Sequence, residues 1–151
     1  MSNLLMEALE MAENQQKIEQ LVFELNQHQE NANVLRSNLD AIEAQVNQMT
    51  ITGVTLDGLS KSQEDQEILI PLGSNSFVFA RLQDVQNVIL GIGSDVAIET
   101  SIEKAQERLG ERIKELRGIS GTLQNQLRTS LQRIEELRAE VQEIYNKIQQ
   151  K

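Results

Sequence analysis

The chain has 151 residues, a formal net charge of −9 and a pI of about 4.6, with one Pro and neither Cys nor Trp. It lacks the clustered Lys and Arg that a phosphate backbone or an anionic bilayer attracts, so neither nucleic acid nor a membrane surface is an expected partner. The absence of Cys excludes disulfides and thiolate metal sites, and an aromatic content of 3% leaves Leu, Ile and Val to bury nearly any core.

The opening residues lack the basic and apolar regions of a secretory signal, and no apolar run approaches a membrane span, so a soluble, cytoplasmic protein is expected. Residues 1–49 contain no Gly and no Pro. Steps of three and four from Ile18 lead through Leu21, Leu25, His28, Ala32, Leu35, Leu39, Ile42, Val46 and Met49. All are apolar except His28. A stripe this narrow is the seam of a coiled coil, not the wide face of a globular helix. Running backward the stripe passes Asn14, Met11, Glu7 and Leu4, and so degrades toward the N-terminus.

Residues 50–66 read as a connector in which Gly53 and Gly58 break the helix. Residues 67–98 change period. Glu67–Leu72 and Phe77–Leu82 flank the turn cluster Gly73-Ser74-Asn75-Ser76, and Val88–Ile92 is separated from Val96–Ile98 by Gly93-Ser94-Asp95. These are two β-hairpins, with Pro71 at an edge or bulge because it has no N–H to donate. Two hairpins are too little sheet to stand alone, so Ile68, Ile70, Leu72, Val78, Val88, Leu90 and Ile92 are expected to be buried by other subunits. Residues 99–151 return to the seam pattern: Ile113, Leu116, Ser120, Leu123, Leu127, Ser130, Ile134, Leu137, Val141, Ile144 and Ile148. Gly110, Gly118 and Gly121 soften this second helix without ending it.

The fold class is therefore mainly α with a small β part: a long antiparallel two-helix coiled coil joined by two β-hairpins. Polar seam residues placed opposite one another avoid unpartnered burial. That favours a register in which paired numbers sum to 148, with His28 beside Ser120 and Leu25 beside Leu123, over a sum of 155.

Long helix, two hairpins, long helix is an order that resembles the prefoldin family, α class. The hairpin block carries most of the resemblance: Ile70-Pro71-Leu72-Gly73-Ser74 with Ser76, then Val88, Gly91-Ile92-Gly93, Val96, and Glu99 opening the second helix. The resemblance implies a chaperone hexamer of two α-type and four β-type subunits, whose hairpins build an intersubunit β-barrel. It also implies that unfolded polypeptides are held at the coiled-coil tips and handed to a group II chaperonin. The Gly-Ser-Asn-Ser turn departs from a more glycine-rich version in the family.

Chemistry-bearing residues are sparse. His28 is the single His and, with no Cys beside it, makes no usual metal site; it reads as a polar seam residue. Glu135, Glu136, Glu140 and Glu143 alternate with Arg133 and Arg138 as on a solvated face, and Gly91 and Gly93 lack the rest of a phosphate loop. No enzyme, cofactor or metal is expected. Leu5, Met6 and Leu9 lie off the seam, and with Leu4, Met11, Val141, Ile144, Tyr145 and Ile148 they form the candidate surface for unfolded chains, Met being adaptable at promiscuous contacts. A second function class fits the same residues: a structural scaffold or tether oligomerised through its hairpins.

Overall fold

A computed structural model describes the backbone of residues 2–149 and the side chains of residues 4–149. The elements run α1 (Ser2–Ser60), β1 (Glu67–Gly73), β2 (Ser76–Arg81), β3 (Asn87–Gly93), β4 (Val96–Ser101) and α2 (Ile102–Gln149). They form two compact units, Met1–Ile42 with Ile119–Lys151, and Glu43–Gly118.

In the first unit the helices pair antiparallel. Leu21, Leu137 and Ile144 form the buried cluster, with Ile18, Leu25 and Val141 packed against it. Ala32, Leu35, Ser130 and Ile134 are also buried. The seam named from sequence is thus the buried one. Its register differs from the expected one: the Asn31 side-chain amide donates to Ser130 Oγ at 3.2 Å, and Arg133 reaches Glu24 at 3.1 Å. These pairs sum to 161 and 157, well beyond 148 and past the alternative of 155. The physical reason is that seam polar groups take partners from flanking positions. Ser130 is satisfied by Asn31, so it need not face another polar seam residue.

In the second unit α1 continues through Gly53 and Gly58 to Ser60, where a break after residue 49 and a connector over 50–66 were expected. Each Gly weakens the helix by about 1 kcal/mol. Burying Leu56 against Ile102 and Ala105, with Leu59, Leu109, Val88 and Leu90 around them, outweighs that at about 1.5–3 kcal/mol for each fully buried large side chain. The hydroxyls of Ser60 and Ser62 then donate to the carbonyls of Asp57 and Gly58, closing the helix end. At the other helix, Glu99 does not open α2. It lies in β4 opposite Ile89, and Ser101 Oγ caps α2 by accepting the Lys104 N–H at 3.3 Å.

β1 pairs with β2 and β3 with β4, each as a separate antiparallel hairpin. Ser74 and Asn75, and again Ser94 and Asp95, have positive φ, as two-residue turns of type I′ require. The register slips between Pro71 and Gly73 and again between Gly91 and Gly93. The second hairpin repeats the first at an offset of 20 residues through every paired position, from Glu67 opposite Arg81 and Asn87 opposite Ser101 onward. The closing bonds keep that offset: Leu82 N–H to the Gln66 carbonyl and Ile102 N–H to that of Gln86.

Candidate functional site

The first unit carries the surface named for unfolded chains. Leu4, Leu5, Met6, Leu9 and Met11 are 57–74% exposed on regular helix. Tyr145 is half exposed and Ile148 lies at the exposed margin, whereas Val141 and Ile144 belong to the seam core and are covered by this chain itself. Met11, Gln15, Ile18 and Glu19 of α1 line a cleft of about 410 Å³ with Tyr145 and Ile148 of α2.

Below the cleft sits an ionic cluster centred on Arg133. Its Nε and Nη2 donate to Glu24 Oε1 at 3.2 and 3.1 Å, and Nη1 donates to Glu136 and Glu140, each at 3.3 Å. The Glu24 hydrogen bond above all, with the two further carboxylates, holds the guanidinium even more firmly protonated than usual. His28 stands 3.9 Å from the same Glu24 oxygen. Glu135 pairs with Arg138 at 3.1 Å and Glu143 with Lys147 at 2.7 Å. The Lys147 hydrogen bond, aided by Lys17, keeps the Glu143 carboxyl below its ordinary range. These carboxylates are spent on ion pairs at a solvated surface. Among the described residues no group of three or more His, Asp or Glu side chains could hold a metal ion, and no helix is long and apolar enough to cross a membrane.

The second unit carries the hairpins. Ile68 is half-buried, while Ile70, Leu72, Val78 and Ile92 are exposed. Val88 and Leu90 already pack on Leu56, Ile102 and Ala105 of the same chain. The opposite face is more open: Leu69 sits across from Phe79, Pro71 across from Phe77, and Leu69, Phe77, Phe79 and Ile89 are 56–79% exposed. The interface residues expected from sequence occupy alternate positions along the strands. Strict alternation carried the signal for the residues between them, since Phe77 and Phe79 are two of the three Phe in the chain. Apolar surface of this extent on both faces of a two-stranded sheet is unfinished structure.

The family model described as Prefoldin subunit matches residues 28–147, spanning both hairpins and most of both seams. This chain belongs to the prefoldin family. Among its prefoldin relatives, prefoldin subunit alpha of Pyrococcus horikoshii is 33% identical over 138 residues, 91% of this chain and 93% of that one. Prefoldin subunit alpha 1 of Thermococcus kodakarensis is 33% identical over 105 residues, covering 70% and 72%. The cryo-EM structure of filamentous PFD from Methanocaldococcus jannaschii shares the fold at a TM-score of 0.68 and 22% identity, covering 78% of this chain and 97% of that one. As a prefoldin subunit the chain is a component of a chaperone, not an enzyme, and it forms oligomers with other prefoldin subunits. The two-helix, two-hairpin architecture is the prefoldin fold.

Proposed function

We propose that this chain is the α-type subunit of a cytosolic prefoldin, two copies joining four β-type subunits, and that it holds unfolded polypeptides at its helix ends for transfer to a group II chaperonin. One observation carries the holding role: five large apolar side chains, Leu4, Leu5, Met6, Leu9 and Met11, stand in solvent on ordered helix. A tether needs only its seam, and exposed apolar surface there would be a liability. Covering on the order of 200 Å² of it yields about 5 kcal/mol before ordering costs, weak enough for release. Several such ends on one platform then bind a single client with avidity. The uncovered hairpin residues support assembly, Ile70, Leu72, Val78 and Ile92 together with Leu69, Phe77, Phe79 and Ile89.

The test replaces Leu4, Leu5, Met6 and Leu9 with Ser in the assembled protein and assays aggregation of a chemically denatured enzyme. The oligomer should persist by sedimentation while protection is lost. An intact oligomer that still protects fully would favour the scaffold reading or place holding on other subunits. Phe79→Asp should release this chain from its partners with helix content retained. An unchanged assembly would remove the hairpin face from the interface.

A further inference from the structure

We infer that the cleft between Met11, Ile18, Tyr145 and Ile148 docks segments of unfolded chain in which apolar residues are interleaved with Lys or Arg. The inference rests on the holding role proposed above and names the class of segment held. The cleft, about 410 Å³, falls in the size range of ligand pockets, roughly 300–1,000 Å³. Its walls are apolar except for Gln15 and Glu19, so it accepts an apolar side chain while its rim meets what flanks that side chain.

The charge around it is one-sided. Residues 4–19 hold Glu7, Glu10, Glu13 and Glu19 against Lys17 alone. The acids of α2 nearby are neutralised within the chain, Glu143 by Lys147 at 2.7 Å and Glu140 by Arg133 at 3.3 Å. Lys17 lies close enough to Glu143 to favour its charged form. Among the described residues no basic side chain forms an ion pair with Glu7, Glu13 or Glu19. Glu19 lines the cleft, and Glu7 stands four residues before Met11 on the same face of α1. A cationic guest gains attraction from these carboxylates and an anionic one meets repulsion, so the acidic rim both attracts and rejects.

The experiment uses the assembled protein and three labelled peptides with identical leucines separated by Lys, Gln or Glu. Anisotropy at low salt should show the Lys peptide binding roughly tenfold more tightly than the Glu peptide, a gap that closes as salt screens the carboxylates. Combining Glu7→Gln, Glu13→Gln and Glu19→Gln should narrow the ratio to about twofold or less. Met11→Ser with Tyr145→Ser should weaken all three peptides, with circular dichroism confirming intact helix. Equal binding of the Lys and Glu peptides overturns the charge selection while leaving holding intact. A preference that survives the three Gln substitutions, or full binding without Met11 and Tyr145, places selection elsewhere and also overturns it. If none of the three peptides binds, the holding role of the helix ends fails as well.

Discussion

Leu137 is the one large side chain in the described seam with no measurable exposure, enclosed by Leu21 and Ile144 with Ile18, Leu25 and Val141 around it. Leu137→Ala removes three carbon atoms, worth about 2.4 kcal/mol at roughly 0.8 kcal/mol each. A cavity contribution adds to this. A seam only two helices wide relaxes inward more easily than a globular core, which keeps the total near 2.5–3.5 kcal/mol, the lower part of the range for such truncations. Phe23→Ala is the control: Phe23 is 65% exposed on the outer face of the same helix pair, and its loss should cost no more than about 0.5 kcal/mol despite the larger residue. Urea unfolding followed by helical circular dichroism, at one fixed protein concentration because assembly contributes to stability, measures both. Comparable losses for the two substitutions would refute the assignment of the seam, since they would put Phe23 under cover and Leu137 outside the principal contact.

Register is checked by cysteine pairs: Asn31→Cys with Ser130→Cys should form an intrachain disulfide readily, and Leu25→Cys with Leu123→Cys should not, the reverse outcome restoring the register rejected above. Gly73→Ala, at φ +98°, should lower stability by about 1–2 kcal/mol, whereas Gly110→Ala, on open helix surface, should raise it by about 0.5–1 kcal/mol; thermal melts of the two variants should move in opposite directions. Asp84 accepts N–H bonds from Gln86 at 2.7 Å and Asn87 at 3.0 Å and one from the Asn87 side chain, which depress its carboxyl below the ordinary 3.8. A depressed carboxyl stabilises the fold above the unfolded value and stops doing so as pH falls through the folded one. The turn between the hairpins should therefore loosen only below about pH 4, and an NMR titration midpoint for Asp84 at or above 3.8 would contradict this.

The seam was legible because a coiled coil writes itself into spacing. Every position stepped through from Ile18 to Met49 is buried or half-buried, and nearly every other residue of that stretch is exposed. Hairpins announced themselves through Gly73-Ser74-Asn75 and Gly93-Ser94-Asp95, whose left-handed turn residues few other sequences supply. Three things did not show. The helix beyond Met49 depends on Leu56 meeting Ile102 and Ala105, a long-range contact that local Gly content argues against. Register depends on which flanking side chain satisfies Ser130, and periodicity is blind to flanking partners. At the candidate surfaces, Ile144 was also counted with the residues for unfolded chains and Leu90 with those awaiting another subunit, because only the fold reveals which of them the chain covers itself.

The 20-residue offset between the hairpins makes the β region modular. Gln66 and Gln86 hold equivalent places, each accepting a closing bond from the residue after its hairpin, and Ile102 is both the last such donor and the first residue of α2. Excising residues 67–86 would splice Gln66 directly to Asn87, presenting one carbonyl for the Ile102 N–H in place of the other. The remaining hairpin would keep its turn, its bulge and its entry into the second helix. A two-hairpin chain and a one-hairpin chain thus stand a single in-frame duplication or loss apart, with no new loop to invent.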